Sequence, residues 1–180
     1  MVHAPEIITT ERLVLRRPAL SDASDVFAYA HDAEVTRYMV WPTHAKIGES
    51  LAFLETCTLR WESGEEYCWA ITVKPEDRMV GMIGCRVREY AADFGYVLNR
   101  MAWGHGYATE AACAVVTWLS SLPHIDRIWA TCDADNRASV RVLEKAGLVY
   151  EGCLRRSTIR PNLSPKPRDT FVFALVQDRE

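Results

Sequence analysis

Residues Asp93–Leu119 read DFGYVLNRMAWGHGYATEAACAVVTWL, and their pattern changes from strand to glycine loop to helix. It begins with the alternation of a strand, in which Phe94, Tyr96 and Leu98 share one face. A loop with two glycines follows, and apolar residues then recur at helical spacing over positions 108–119. A strand, a glycine turn and a helix N-terminus bring unpaired amides and the positive end of the helix dipole to one point. The stretch therefore predicts an anion site suited to phosphate.

Three kinds of phosphate site could use such a loop. A P-loop requires Lys and then Ser or Thr after its last glycine, whereas Tyr107 and Ala108 follow Gly106. A dinucleotide-binding fingerprint requires a third small residue at the position that Thr109 occupies. The third kind is the N-acetyltransferase loop that binds the pyrophosphate of coenzyme A, and WGHGYATEA at 103–111 resembles it. From this string alone, a plain glycine turn before a core helix stays an alternative.

Further segments, in the same order along the chain, carry the same resemblance. The sequence resembles the GNAT superfamily, and within it the branch of ribosomal-protein-alanine N-acetyltransferases. One departure is Trp103, where Gln or Arg usually opens the loop, but that branch commonly shows this replacement. The matching segments are TERLVLR (10–16), GYVLNRMAWGHGYATEA (95–111), NRASVRVLEKAGL (136–148), YEGCLR (150–155) and the late Asp169.

Length and composition predict one globular domain. At 180 residues the chain can bury a full core, and we expect a single domain, 1–180, with its core at about 10–177. The net charge of −3 and the pI near 6.0 give no polybasic surface, so neither nucleic acid nor a membrane is an expected partner. The N-terminal residues lack a signal-peptide pattern, and no apolar run approaches the roughly 20 residues of a membrane helix. These features predict a cytoplasmic protein.

The cysteines and histidines do not have the spacing of a metal site. No CxxC pair and no HxxxH pair occurs. We therefore expect no metal, and we expect free thiols that are mostly buried. The cysteines are Cys57, Cys68, Cys85, Cys113, Cys132 and Cys153.

Strands and helices interleave, with hairpin-like strand pairs among them. This pattern favours an α/β fold with a mixed sheet. The resemblance implies the single-domain acyl-CoA N-acyltransferase (GNAT) fold, a mixed, mostly antiparallel twisted sheet with helices on both faces. The polar stretch Arg155–Asp169, with three prolines, is expected to be a loop. The predicted strands are Thr10–Arg17, Tyr67–Val73, Met79–Val87, Asp93–Leu98, Ile125–Cys132, Leu148–Leu154 and Thr170–Val176, and the predicted helices begin near Ser21 or Asp22, Ile47, Ala108 and Asn136.

The cofactor site is expected in three places. Glycines in the loop let backbone amides approach the pyrophosphate. The resemblance adds a strand edge that pairs with the pantetheine arm, and an N-x-x-S pattern at the start of the late helix that contacts coenzyme A. From spacing alone, the Asn of that pattern could equally be a simple N-cap. The implied cofactor-binding residues are Gly104, His105, Gly106, Tyr107, Ala108 and Thr109 in the loop, Val97 and Leu98 on the edge, and Asn136 and Ser139 on the helix. Arg141, on the exposed side of the same helix, is a further candidate that could pair with the ribose phosphate, with a solvated surface Arg as the alternative.

Two residues are predicted to be catalytic. Asp93 stands where the branch usually carries Glu, and its carboxylate could take a proton from the acceptor through water; a solvated turn Asp is the alternative. Ser139 is the candidate near the leaving sulfur. Many superfamily members place a Tyr one turn further along this helix, but Leu143 is there, so Ser139, water or Tyr150 must substitute. Glu110, in the first turn of its helix, is expected to be structural.

We therefore expect an acetyl-CoA-dependent N-acetyltransferase that uses direct transfer in a ternary complex. The resemblance implies a protein N-terminal α-amine as acceptor, but the same scaffold serves small-molecule amines. The helices near Val35–Trp61, with Tyr38, Trp41 and Trp61, would form the acceptor pocket or else belong to the core. A homodimer is left open. A non-catalytic acyl-CoA-binding or sensing module is the alternative function.

Overall fold

The computed structural model describes residues 3–177, so the ends of the expected domain 1–180 lie outside the described residues. Within this range eight strands form one sheet, ordered β1-β2-β3-β4-β5-β6-β8-β7. The strands are β1 (Ile7–Thr9), β2 (Leu13–Arg16), β3 (Tyr67–Val73), β4 (Met79–Val87), β5 (Ala91–Leu98), β6 (Arg127–Asp133), β7 (Val149–Arg160) and β8 (Ser164–Val176). The helices are α1 (Ala23–Ala30), α2 (Ala33–Thr36), α3 (Ile47–Ser63), α4 (Tyr107–Ser121) and α5 (Arg137–Lys145).

The sheet is mixed and mostly antiparallel, as predicted. Its one parallel pair among the described strands is β5 with β6. β5 pairs with β4 along its length, from Ala92 to Leu98, but pairs with β6 at 91–93 alone. Beyond Asp93 the two parallel strands diverge, so the sheet opens at its centre.

Helices cover both faces of the sheet. One core contains Phe94 and Leu98 of β5 together with apolar residues of α4 and α5. The other contains apolar residues of α1 and α3, and Val97 of β5 packs against it. The alternation predicted for β5 is therefore confirmed, because Phe94 and Val97 contact cores on opposite faces. Residue Gly64 ends α3 in the left-handed conformation, with φ 73°.

The predicted loop at Arg155–Asp169 is wrong. β7 and β8 continue through most of it and turn at 161–163. The apolar signal is missing because this two-stranded ribbon extends beyond β6, where neither face has a core to bury. Pro165 and Pro167 lie in the part of β8 that β6 does not pair, so β6 requires no backbone N–H from either residue. The edge strand β1 was not predicted either.

Among the described residues, no cluster of side chains could bind a metal and no thiols are paired. Within residues 3–177 no group of three or more His, Cys, Asp or Glu side chains could hold a metal ion. All six cysteines are free, and Cys57, Cys68, Cys85 and Cys132 are buried. In the same range no helix combines the length and the apolarity needed to cross a membrane.

Candidate active site

A cleft of about 540 Å³ opens where β5 and β6 diverge. It passes between the two strands, with the start of α5 on one side and α1 and the segment after α2 on the other. Its lining includes Asp93, Gly95, Tyr96, Val97, Cys132, Asn136, Ser139 and Leu143, and on the other side Tyr29, Tyr38, Trp41 and His44.

The β5 edge at this cleft presents backbone groups that β6 does not pair. Asn99 N–H donates to Val80 O on β4 at 2.8 Å, and bonding direction alternates along an antiparallel ladder. Tyr96 and Leu98 therefore direct their backbone N–H and C=O groups away from β4 and toward the cleft. Val97 directs its backbone to β4 and lines the cleft. Of the two predicted edge residues, Leu98 therefore has backbone groups that β4 does not use, whereas Val97 contributes to the cleft wall.

Trp103 ties the glycine loop to this edge. Its indole Nε1–H donates to the Leu98 carbonyl at 3.0 Å. The Leu98 carbonyl is thus engaged within the protein, which leaves the Leu98 N–H and the backbone groups of Tyr96 on the edge that β6 does not pair. The unusual Trp at the opening of the loop therefore positions the loop against the end of β5.

The glycine loop has the geometry of an anion site. Gly104 and Gly106 have φ 79° and 81°, a left-handed conformation that favours glycine, and α4 begins directly after Gly106. No hydrogen bond within the described chain uses the amides of residues 104–109. The His105 ring stacks on Tyr107, with centroids 5.4 Å apart. Free amides and the helix N-terminus fit the pyrophosphate of coenzyme A.

Hydrogen bonds of Glu110 and Arg12 connect the glycine loop and the start of α4 to the segment before β2. Glu110 accepts hydrogen bonds from Thr10 Oγ1 at 2.6 Å, from Arg12 N at 2.9 Å and from Arg12 Nε at 2.7 Å. Arg12 Nη1 also donates to the His105 carbonyl at 2.9 Å. Burial raises the pKa of Glu110, but these bonds outweigh it and the pKa is lowered overall. Glu110 is structural, as its position predicted.

The start of α5 brings two hydroxyl groups together. Asn136 Oδ1 accepts from Ser139 N at 3.1 Å, so Asn136 is an N-cap and also lines the cleft. Ser139 Oγ lies 2.8 Å from Tyr96 Oη on β5. Burial raises the pKa of Tyr96, although the hydrogen bond with Ser139 lowers it in part, so the phenol stays protonated near neutral pH. The sequence did not reveal this pairing.

Comparison with known proteins identifies the family. The family model described as "Acetyltransferase (GNAT) domain" matches residues 12–149. The chain belongs to the GNAT family. It is an N-acetyltransferase, as the sequence resemblance predicted. The uncharacterized N-acetyltransferase YoaA of Bacillus subtilis is 30% identical over 177 residues, covering 97% of this chain and 98% of YoaA. The uncharacterized N-acetyltransferase p20 of Bacillus licheniformis is 29% identical, covering 83% of this chain and 86% of p20.

Solved structures agree with this assignment. A GNAT-family acetyltransferase from Bacillus anthracis matches with a TM-score of 0.84 at 25% identity, covering 96% of this chain and 99% of that protein. RimL, a ribosomal L7/L12 alpha-N-protein acetyltransferase solved with coenzyme A, matches with a TM-score of 0.83 at 23% identity, covering 97% and 100%. The GNAT fold predicted from the sequence is therefore confirmed.

In this GNAT chain Asp93 is a buried residue of the cleft, not a solvated turn. Its residue is 6% exposed. Arg86 on β4 donates to Oδ2 through Nε at 3.0 Å and also through Nη2. Oδ1 is buried and has no hydrogen-bond partner within the described chain. One carboxylate oxygen is thus fixed by a guanidinium, and the other keeps a hydrogen-bond acceptor that no group of the described chain uses.

The remaining predicted residues lie in different surroundings. Leu143 is buried and lines the cleft at the position where many GNAT enzymes carry Tyr. Tyr150 packs edge-on against Phe171 and Phe173 and is not among the residues that line the cleft, so it is poorly placed to replace that Tyr. Arg141 is exposed on α5 and lies outside the lining.

The side of the cleft predicted to hold the acceptor is closed by a hairpin tip. Asn162, in the turn between β7 and β8, donates through Nδ2 to Thr36 O at 2.7 Å and to Trp41 O at 2.9 Å. Its Oδ1 accepts from Thr43 N at 2.9 Å. Tyr38 and Trp41 line the cleft, as the acceptor pocket prediction required. Trp61 instead makes edge-to-face contacts with Tyr67 and Trp69 and packs against the core.

Proposed function

We propose that this N-acetyltransferase moves an acetyl group from acetyl-CoA directly to a primary amine while both are bound in the central cleft. The acceptor is a protein N-terminal α-amine or a small-molecule amine. The observation that carries the proposal is that one cleft is lined by the β5 edge, by the start of α5, by Asp93 and by the Tyr38–Trp41 segment. Two substrates can therefore meet without a covalent enzyme intermediate.

The cofactor would be held at three points. The amides of residues 104–109 and the start of α4 support binding of the pyrophosphate. The unpaired edge at Tyr96 and Leu98 supports pairing with the pantetheine arm. Asn136 and Ser139 bound the cleft at the start of α5. Arg141, exposed on α5 and outside the cleft lining, is assigned to the ribose phosphate of coenzyme A in this scheme.

Proton movements follow from the chemistry of the exchange. Acetyl-CoA supplies an acyl carbon that is already activated as a thioester. As the new C–N bond forms and the C–S bond breaks, one proton leaves the nitrogen and one reaches the sulfur. Asp93 Oδ1 is the acceptor we assign to the first proton, directly or through water. The Tyr96–Ser139 pair is the donor we assign to the second, because a protonated phenol can resupply the Ser139 hydroxyl.

Peptide N-termini and small amines both remain in the acceptor proposal. RimL is a ribosomal L7/L12 alpha-N-protein acetyltransferase, and a further structural neighbour, from Salmonella typhimurium, modifies the N-terminal serine of L7/L12, which is a reason to test peptides. The hairpin tip that closes the acceptor side argues for an acceptor whose reactive end is narrow.

The test is acetyl-CoA-dependent release of free thiol in the presence of a panel of short peptides and small amines, with mass spectrometry of the products. We expect turnover with at least one amine class and no acetylated enzyme in its absence. Acetyl-CoA binding without turnover on any amine would support the non-catalytic binding module instead. Acetylated enzyme that then reacts with amine would overturn direct transfer.

A further inference from the structure

Arg160, the last residue of β7, is a buried cation in the cleft with little internal compensation. The residue is 6% exposed and lines the cleft. Its Nε has no hydrogen-bond partner within the described chain. The nearest carboxylate oxygen is Asp133 Oδ2, 3.9 Å from Nε, which is too long for a hydrogen bond.

That carboxylate already belongs to another arginine. Arg168 donates to Asp133 through Nε at 2.7 Å and through Nη2 at 2.9 Å. Arg168 also contacts the exposed Asp135 at 2.6 Å. Burial lowers the pKa of Arg160, Asp133 raises it, and the nearby Arg168 lowers it further, so the pKa is lowered overall. The positive charge on Arg160 is therefore the part of this cluster that its neighbours balance least.

The other arginines of the cleft lining differ from Arg160 in this respect. Arg60 donates to Glu66 at 2.7 Å, and Arg86 is paired with Asp93. A buried charge is costly unless a hydrogen-bonding counter-charge meets it. Arg160 has only the long 3.9 Å ion pair with Asp133 and no hydrogen-bonded counter-charge. Proteins keep such a guanidinium where a ligand supplies the anion, because its fork matches a carboxylate or a phosphate group.

The guanidinium of Arg160 lies beside Asp133 at the end of β6, and the chain that follows Arg160 leads to the acceptor side of the cleft. The turn that follows it is fixed by Asn162 to the main chain of Thr36 and Trp41, on the side of the cleft opposite the start of α5. The glycine loop at 104–106 does not line this cleft. We propose that Arg160 binds an oxyanion, a carboxylate or a phosphate, carried by the acceptor amine. This inference rests on the proposed function, and it narrows the acceptor to amines with a negative group.

The test compares acceptors that differ by the negative group alone. We would measure kcat/KM for Ala-Glu-amide against Ala-Gln-amide, for alanine against alaninamide, and for phosphoethanolamine against ethanolamine. Wild type should prefer the anionic member of at least one pair by roughly 10- to 100-fold, the usual worth of a hydrogen bond to a charged group. Which pair responds distinguishes a carboxylate from a phosphate. Arg160→Gln should bring that ratio close to one.

Arg60→Gln is the matched control, since Arg60 also lines the cleft but is neutralised by Glu66. It should retain the wild-type ratio. Equal ratios in wild type and Arg160→Gln would overturn the proposal. So would a weaker Kd for acetyl-CoA in Arg160→Gln, because the guanidinium would then serve the cofactor.

A binding measurement separates this proposal from the proposed function. With coenzyme A present at saturation to cover the glycine loop, inorganic phosphate or acetate is titrated while Tm is recorded. The anions should raise Tm more in wild type than in Arg160→Gln, whether or not any amine is acetylated. Equal shifts would refute an anion site at Arg160. Arg160→Met should also be as stable as wild type or more stable without anion, whereas a purely structural arginine would make it less stable.

Discussion

At the scale of single residues, the cleft is lined by an aspartate with one unused hydrogen-bond acceptor and by a pair of hydroxyl groups in contact. Asp93 has one carboxylate oxygen fixed by Arg86 and one without a partner, and Ser139 shares a short contact with Tyr96. Neither arrangement follows from a motif, because each joins residues on different elements. Both can be tested by removing one partner at a time.

The first prediction concerns Asp93 as the base. Asp93→Asn should lower kcat/KM by roughly 10²–10⁴-fold, the usual contribution of a positioned base, and leave the Kd for acetyl-CoA nearly unchanged. The loss should shrink as the pH rises, because more of the amine is then neutral in solution. Steady-state kinetics across pH with the true acceptor gives the measurement.

The control for that experiment is Arg86→Gln. It breaks the same ion pair but keeps the carboxylate, so a base role predicts a much smaller loss than in Asp93→Asn. Equal losses in both variants would show that the ion pair matters and the base does not. An Asp93→Asn enzyme within about threefold of wild type at pH 7 would remove the residue from the mechanism.

The second prediction concerns the hydroxyl pair. If Tyr96 acts through Ser139, then Tyr96→Phe and Ser139→Ala should each lower kcat, and the double variant should lose little more than either alone. The coupling free energy of the double-mutant cycle should be about 1 kcal/mol or more. Additive losses would mean that the 2.8 Å contact has no role in turnover.

At the scale of elements, the loop and the central hairpin depend on particular glycines. Gly104 and Gly106 supply the left-handed turns that start α4. Gly81 on β4 lies where the end of β5 crosses closely above it: a Cβ there would lie 2.9 Å from Leu98 Cα and closer still to the Val97 carbonyl oxygen. We propose that Gly104 and Gly106 serve cofactor binding, whereas Gly81 serves the packing of β4 against β5.

The third prediction separates the loop from general backbone strain. Gly106→Ala should weaken acetyl-CoA binding at least tenfold by calorimetry, because a Cβ at φ 81° distorts the amides that face the phosphates. Gly147→Ala is the control: Gly147 has φ 90° at the end of α5, with open space around a Cβ. Both variants should lose about 1–2 kcal/mol of stability, but Gly147→Ala should keep its affinity. Equal affinities would contradict the assignment of the loop.

The fourth prediction concerns the packing of β4 on β5. Gly81→Ala should lower the free energy of unfolding by about 1–3 kcal/mol, because the backbone it would strike cannot move independently of the sheet. Gly95→Ala, on the adjacent strand, adds a Cβ with nothing within 4 Å and should leave stability nearly as it is. The measurement is urea unfolding of the two variants. Similar stabilities would contradict the close contact of Gly81 with the backbone of β5.

Helices and strands could be predicted where the pattern of apolar and turn residues within the segment itself defines them. β3 and β4 have the predicted bounds, since each strand alternates or is continuously apolar and the turn residues between them are explicit. The strands at 148–154 and 170–176 were predicted, but the outer part of the β7–β8 ribbon between them was missed because it projects past the core and carries no alternation. The site divides in the same way. The loop glycines could be read from the string, whereas Tyr96–Ser139, Arg12–Glu110 and the isolated Arg160 depend on residues brought together by folding.

At the scale of the whole molecule, three carboxylates, two buried and one half-buried, tie distant segments together. Asp22 accepts from Arg16 at 2.8 and 2.9 Å, which joins the end of β2 to the start of α1. Asp133 joins β6 to β8 through Arg168, and Glu110 joins α4 to the residues before β2. For each of them burial raises the pKa, but the arginine and backbone hydrogen bonds outweigh it and the pKa is lowered overall.

The fifth prediction is the pH dependence of stability that these carboxylates impose. A group whose pKa is lower in the folded than in the unfolded chain stabilises the fold fully above its unfolded value, and loses that contribution as the pH falls through its folded value. The ordinary values are 3.8 for Asp and 4.5 for Glu. The free energy of unfolding should therefore change little, as far as these groups are concerned, between pH 7 and 5, and should fall steadily below about pH 4.5. Urea unfolding at pH 7, 5, 4 and 3 measures it.

A single variant shows whether Asp22 contributes to that slope. Asp22→Asn should be less stable than wild type at pH 7 by about 1–3 kcal/mol, because Arg16 and the Ala19 N–H lose a charged acceptor. The difference should narrow toward pH 3, since protonation removes the same interaction from wild type. Glu55→Gln, exposed on α3, should follow the wild-type curve throughout. A gap between Asp22→Asn and wild type that stays constant from pH 7 to 3 would mean that Asp22 stabilises the fold by its shape and hydrogen bonds, and not by its charge.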